Sequence, residues 1–178
     1  MRKNDPKPTL DKYAFQLSEG VDLMEIDGVG RSLVLTILCE TGFDLSSKFA
    51  SHKHYVSWLA LCPNKKTSGG KVISSRTKRT KNNCAAAYRQ AALNLAKKKD
   101  CALAKFYSSI AYKSGKKAAI TATARKIAVI VYKMLENKQP YKAQNMEEYQ
   151  EQLRKRKIKS IQKAMLRMNI KLDELNVT

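Results

Sequence analysis

The sequence predicts a mainly α-helical chain, in which a helix-hairpin-helix is followed by a basic loop with a small β-hairpin, a helical bundle and a C-terminal amphipathic helix. Apolar residues recur at helical spacing over most of the chain. Glycines and prolines separate these stretches. With 178 residues and 43% hydrophobic content, the chain has enough apolar side chains for one core, so we expect one domain, over residues 19–140.

The first elements are an arm and a helical hairpin. Residues 1–18 carry Pro6, Pro8 and mixed charge, which is typical of a linker or an arm. Residues 21–42 then predict the helix-hairpin-helix, with Asp27-Gly28-Val29-Gly30 as the hairpin and a helix from Ser32 to Glu40. Gly42 is placed to end that helix.

A short helix and a basic loop come next. Ser51 is placed to cap a helix that carries Tyr55 and Trp58 and stops at Pro63. Residues 63–83 contain two adjacent glycines, no carboxylate and seven basic side chains, so they predict a loop, with a short hairpin over 71–77.

Four further helices are predicted. Three helical patterns, at 83–98, 102–112 and 117–135, predict a bundle over 83–138. Residues 141–178 predict an amphipathic helix and a tail. That helix has three possible roles: docking on the bundle, pairing with another protomer, or lying along nucleic acid through residues 154–159.

The net charge of +20 is concentrated in one block. Between Asp44 and Glu136 there are twenty Lys and Arg and one carboxylate, Asp100, which gives 20 − 1 = +19. This concentration predicts a phosphate-binding face. Ribosomal proteins and basic membrane-surface proteins share such a balance, and lysines that only solvate a surface produce it as well.

Several classes of protein and site are disfavoured. No run of about eighteen apolar residues and no signal-peptide core is present, so we expect a cytoplasmic protein without a membrane partner. The four cysteines are far apart and the two histidines have no second ligand pair nearby, so no metal site is predicted.

Two stretches have the composition of phosphate-binding sites. Gly28 and Gly30, beside Arg31 at the start of a helix, allow backbone N–H groups to hold a DNA phosphate, although such a pair also occurs in ordinary helical turns. The second stretch follows Pro63, where Ser68 precedes two glycines and five cations. Its candidate phosphate-contacting residues are Gly69, Gly70, Lys71, Arg76, Lys78, Arg79 and Lys81.

The motif Ile26-Asp27-Gly28-Val29-Gly30, the segment HYVSWLALCPNKKTSGGKVISSRTKRTKN and the segment AITATARKIAVIVYKML together resemble the C-terminal domain of transposases of the insertion-sequence 110/116/902 family. The resemblance covers roughly two thirds of the chain. Its most specific part is the pattern Cys-Pro-Asn, three residues, then Ser-Gly-Gly-Lys.

The resemblance implies a serine recombinase. The serine five residues after the proline is understood to attack a DNA phosphate, and this position is Ser68 here; Ser74 and Ser75 lie outside the pattern. The full family protein also has an N-terminal RuvC-like domain with Mg²⁺-binding carboxylates. We expect this chain to lack that half, to hold no cofactor itself, and in isolation to bind DNA without recombining it.

The resemblance further implies a guide RNA that bridges donor and target DNA, self-association in the full transposase, and a bacterial, nucleoid-associated location. Two alternatives remain. One is a non-catalytic DNA- or RNA-binding helix-hairpin-helix module, in which Ser68→Ala changes nothing. The other is an oligomerisation module built on residues 145–170.

Overall fold

The computed structural model describes residues 9–42, 44–98, 100–143 and 145–169. It divides into two compact units, Met1–Ala143 and Gln144–Thr178. The chain is mainly helical and has one small antiparallel sheet, as the sequence predicts. None of the described helices combines the length and the apolar character needed to cross a membrane.

The first unit contains most of the secondary structure. Its elements are α1 (Thr9–Leu17), a 3-10 turn (Leu23–Glu25), α2 (Arg31–Thr41), α3 (Leu45–Lys48), α4 (His52–Trp58), β1 (Lys66–Ser68), β2 (Lys71–Ser74), α5 (Asn83–Leu95), α6 (Ala102–Ser114) and α7 (Lys116–Asn137). The second unit contains α8 (Met146–Met168).

Helix α7 is the centre of the core. It packs against α4, α5 and α6. Ile127, Ala128 and Val131 on α7 are completely buried. Helix α5 contributes buried alanines, and such small side chains let helix backbones approach closely; two of these, Ala85 and Ala92, are completely buried. The first turn of α5 is capped by Asn82, whose Oδ1 accepts a hydrogen bond from the Ala85 N–H at 2.9 Å.

A polar cluster lies inside this core. The Tyr55 and Tyr88 hydroxyls are 2.9 Å apart, and the Tyr55 hydroxyl is 3.7 Å from the Cys84 sulfur. Burial is the main cause that raises the pKa of all three groups, for Cys84 to about 11. The cluster joins α4 to α5 with polar groups that satisfy one another.

The beginning of the chain differs from the prediction of a linker or arm over residues 1–18. Residues 1–8 lie outside the described residues, and residues 9–17 form α1. The prolines stand before this helix, where they do not interrupt it. Ala14 packs against the core, so this part of the predicted arm contributes to the folded unit.

Two other elements differ in extent from the prediction. The expected first helix of the helix-hairpin-helix is a single 3-10 turn at 23–25, whereas its second helix is α2, which ends at Gly42 as predicted. Helix α4 ends at Trp58, before Pro63, because Ala60 adopts a positive φ and the buried Leu59 and Leu61 turn the chain into the core.

The predicted C-terminal helix is confirmed over 146–168, with residues 170–178 outside the described part. Within α8, Lys155 and Glu151 form an ion pair of 2.8 Å one turn apart. Ile158, Ile161 and Leu166 are exposed. Helix α8 therefore presents both apolar and charged side chains to solvent.

Candidate nucleic-acid interface

The serine of the Ser-Gly-Gly motif lies at the end of a tight β-hairpin. Gly69 and Gly70 both have positive φ, +55° and +75°. Positive φ at both central residues defines the type I′ turn, which suits the twist of a two-residue hairpin and strongly favours glycine. The two adjacent glycines therefore produce the turn.

We call residues 66–74 the serine hairpin. Ser68 pairs with Lys71 directly across its turn, and Thr67 pairs with Val72. Lys66 pairs with Ser74, so β2 has one extra residue at this point, a β-bulge. Side chains of directly paired residues lie on the same face of a hairpin, which places the Lys71 ammonium group on the same face as the Ser68 hydroxyl.

The serine hairpin lies outside the core. Its side chains are exposed, including Val72 and Ile73 at 58% and 69%, and only Ser74 is half-buried. The base of the hairpin is closed by a bridge between Pro63 and Thr77 and by a 3.1 Å hydrogen bond from the Asn64 N–H to the Arg76 carbonyl. The sequence predicts this hairpin over residues 71–77. It lies instead over residues 66–74, because the glycine pair, rather than residues within 71–77, forms the turn.

Ser68 is exposed. Within the described residues its hydroxyl has no hydrogen-bond partner. A serine hydroxyl is a weak nucleophile unless its proton is removed or cations activate the phosphate that it attacks. The hairpin thus supplies an accessible hydroxyl and a neighbouring cation.

The segment after the hairpin forms what we call the basic groove. Lys78, Arg79 and Lys81 line a shallow groove of about 660 Å³ together with Thr77, Thr80 and Arg89. Arg89 comes from α5 and is not among the sequence-predicted contacts. The signal for it was a single arginine in an otherwise alanine-rich, uncharged helix.

The remaining predicted cations lie elsewhere. Lys71 lies at the tip of the serine hairpin. Arg76 lines a different cleft, against α6 and α7. The basic segment therefore presents its cations on more than one surface.

Gly28, Gly30 and Arg31 line a third cleft, of about 490 Å³, between α2 and α5. A Cβ on Gly28 would lie 2.7 Å from Leu95 Cγ and 2.9 Å from the Ala91 carbonyl oxygen, so Gly28 lets the hairpin pack directly on α5. No atom lies within 4 Å of a Cβ on Gly30, the N-cap of α2, and no side chain caps that helix. The first-turn N–H groups of a helix have no acceptor within it, so this end of the cleft suits an anion.

The carboxylates near this cleft do not form a metal site. Asp22 accepts a hydrogen bond from the Met24 N–H at 2.8 Å, Glu25 accepts one from the Tyr141 N–H at 3.1 Å, and Asp27 pairs with Lys98 at 3.1 Å. In the part of the chain that the structure describes, no group of three His, Cys, Asp or Glu residues is arranged to hold a metal ion.

Comparison with known proteins identifies a family for about half of the chain. The model of the family described as "Transposase IS116/IS110/IS902 family" matches residues 22–108, a range that contains the cleft at Gly28 and Gly30, the serine hairpin and the basic groove. No curated protein and no solved structure matches the chain. The match over residues 22–108 identifies this part of the chain with the transposase IS116/IS110/IS902 family and supports a role in transposition.

Proposed function

We propose that this chain binds DNA during transposition and that Ser68 is the nucleophile that joins the protein covalently to a DNA end. One observation carries the proposal: the Ser-Gly-Gly motif forms an exposed type I′ hairpin that pairs Ser68 with Lys71, immediately before the basic groove. The sequence pattern, the accessible hydroxyl and the cations are thus found together.

The binding part of the proposal rests on charge. Lys78, Arg79, Lys81 and Arg89 surround the basic groove, and none of them forms an ion pair with a described carboxylate. Unpaired cations that line one groove release condensed counterions when they meet a phosphate backbone, which is the main source of sequence-independent DNA affinity. The groove suits a DNA backbone, and the resemblance makes DNA the expected polyanion.

The chemical part of the proposal is a transesterification. The Ser68 oxygen forms a bond to phosphorus, the bond from that phosphorus to one sugar oxygen breaks, and the serine proton is lost to a base while the released sugar oxygen gains a proton. Lys71 neutralises charge on the phosphate oxygens as the bond forms. The number of P–O ester bonds is unchanged, so the DNA end remains attached to the protein as a phosphoserine ester.

The metal-dependent part of the reaction is assigned to another domain. Because the family resemblance implies Mg²⁺ on RuvC-like carboxylates, we propose that the metal is held by a RuvC-like domain, with which this chain acts. A bridging RNA and self-association are further parts of the proposal, and they rest on the family resemblance alone.

Covalent trapping tests the proposal. The chain is mixed with a RuvC-like domain of the same family, Mg²⁺, guide RNA and end-labelled donor DNA, and denaturing gels are examined for a protein–DNA adduct. We expect an adduct with the native chain and none with Ser68→Ala. Ser74→Ala is the matched control, since Ser74 carries a hydroxyl in β2 of the same hairpin but lies outside the motif.

Binding of duplex DNA is measured on the same variants in a native gel. Ser68→Ala should bind as tightly as the native chain, because a neutral hydroxyl adds little to backbone affinity. An adduct that persists in Ser68→Ala would exclude Ser68 as the nucleophile. Salt-sensitive binding with no adduct in any sample would support the alternative of a non-catalytic binding module.

A further inference from the structure

A second basic surface adjoins the basic groove at Thr77. It is a cleft of about 810 Å³ between residues 75–77 and the helices α6 and α7, which we call the lateral cleft. Among the residues that the structure describes, no carboxylate lines it. Its cations belong to two separate elements: Arg76 comes from the extended segment, whereas Lys117 and Arg125 come from α7.

The α7 side of the lateral cleft has a regular arrangement. Lys117, Thr121 and Arg125 are spaced four residues apart, so they lie one above another on one face of the helix. With a rise of about 1.5 Å per residue, the two cations are separated by about 12 Å along the axis. Among the described residues, no ion pair neutralises Arg76, Lys117 or Arg125.

The other lining residues indicate which part of a nucleic acid fits. Ser75, Thr77 and Ser114 add hydroxyl groups at the wall, and small or aliphatic side chains such as Ala118 and Ile110 form the rest of it. None of the lining residues is aromatic. Stacking of bases in single-strand sites uses aromatic side chains, whereas cations and hydroxyls contact phosphates and sugars. The cleft therefore suits a backbone and not a stacked base.

The two basic surfaces meet at residues 76–78. Arg76 lines the lateral cleft, Lys78 lines the basic groove, and Thr77 between them lines both. The volume of the lateral cleft is in the range of small-ligand pockets, which is enough for a short stretch of one strand. Two cationic concavities thus adjoin each other at Thr77.

We propose that the lateral cleft binds the sugar–phosphate backbone of one nucleic-acid strand, separate from the DNA held in the basic groove. The inference rests on the proposed DNA-binding function and extends it, because it assigns α7 as a second binding surface. Two adjoining surfaces of this form can hold two backbone segments.

The test compares two doubly neutralised variants of the full chain, each with two fewer positive charges. Lys117→Gln with Arg125→Gln alters the lateral cleft. Lys113→Gln with Lys133→Gln is the matched control, since both residues are exposed on α6 and α7 and neither lines the cleft. Fluorescent oligothymidylate and oligouridylate serve as single-strand probes, and a labelled duplex measures the basic groove. Melting curves confirm that both variants fold.

We expect the cleft variant to bind single strands about tenfold more weakly than the control variant, with the slope of log affinity against log salt reduced by about 1.4 for two lost phosphate contacts. Its duplex affinity should match that of the control. A loss of affinity for both oligothymidylate and oligouridylate supports recognition of the sugar–phosphate backbone of either nucleic acid. A loss of affinity for oligouridylate alone supports the cleft with RNA as the bound strand.

Equal single-strand affinities of the two variants would overturn the inference. This failure is distinguishable from failure of the proposed function. If the native chain binds duplex DNA, and Lys78→Gln with Lys81→Gln weakens that binding while the cleft variant binds single strands normally, only the lateral cleft is excluded. If the native chain binds no duplex at any salt concentration, the proposed function fails as well.

Discussion

Gly28 and Gly30 are two residues apart in the sequence and have different structural roles. Gly28 has φ of +85° and lies against α5, whereas Gly30 has φ of −121° and open space around it. The sequence identifies both as hairpin glycines. It cannot distinguish them, because Leu95 and Ala91, the residues that restrict Gly28, are more than sixty positions away.

We expect Gly28→Ala to lower the free energy of unfolding by about 3 kcal/mol. The added Cβ meets Leu95 Cγ and the Ala91 carbonyl oxygen below 3.0 Å, and the backbone conformation is unfavourable for an L residue. Gly30→Ala is the control and should cost less than about 1 kcal/mol, as expected for an N-cap change without a clash. Urea unfolding measures both, and equal costs would contradict the assigned roles.

The buried polar cluster gives a second residue-scale prediction. Burial raises the pKa of the Cys84 thiol from 9.0 to about 11, so the native state holds this proton more tightly than the unfolded state does. Stability from a group with a raised native pKa is fully present below its unfolded pKa and is lost as pH rises towards its native pKa. The free energy of unfolding should therefore fall between pH 9 and about 11, by about 2 kcal/mol from Cys84 alone.

Urea unfolding under reducing conditions at several pH values tests this alkaline loss. Cys84→Ala should show a shallower fall than the native chain, while Tyr55 and Tyr88, whose pKa values are also raised by burial, still contribute above pH 10. Cys39→Ala changes an exposed cysteine and should retain the native slope. Identical slopes for Cys84→Ala and the native chain would show that the thiol does not govern the loss.

At the scale of elements, local signals predicted most helices, and long-range contacts decided the rest. The helical patterns predicted at 83–98 and 117–135 correspond closely to α5 and α7. Helix α1 was obscured by its neighbouring prolines and mixed charge. The register of the serine hairpin depends on which residues form the turn, and only the structure shows that the glycine pair does so.

The serine hairpin should be dispensable for folding. Replacing residues 66–74 by a short Gly-Ser link removes only exposed or half-buried side chains and keeps the Pro63–Thr77 bridge, so the melting temperature should change by no more than a few degrees. Under the proposed function the covalent adduct disappears. Calorimetry and the trapping assay measure the two effects.

Ile127→Ala is the reference variant for the calorimetry. Ile127 is completely buried in α7, and its truncation should cost about 2–5 kcal/mol of stability. A hairpin deletion as damaging as Ile127→Ala would mean that the hairpin is part of the cooperative unit. The hairpin is instead expected to act as an appendage of a core that folds without it.

For the whole molecule, the composition predicted where along the chain the positive charge lies. It did not predict how folding divides that charge among separate surfaces. The sequence places a net +19 between Asp44 and Glu136. Folding places eight of these twenty cations at the hairpin tip, the basic groove and the lateral cleft. The division depends on how α5, α6 and α7 pack beside the extended segment, and Arg89, Lys117 and Arg125 take part only through that packing.

This division predicts that position, and not total charge, governs duplex affinity. Lys78→Gln with Lys81→Gln and Lys12→Gln with Lys142→Gln each remove two charges, the first pair from the basic groove and the second from exposed positions outside the central block. The groove variant should reduce the slope of log affinity against log salt by about 1.8, since each phosphate contact on a duplex contributes about 0.9. The outer variant should retain the native slope, because its charges do not replace counterions at the bound backbone. If instead both variants lose the same affinity with the same slope, then the chain attracts DNA through its overall field, and the folded arrangement of its cations has no part in recognition.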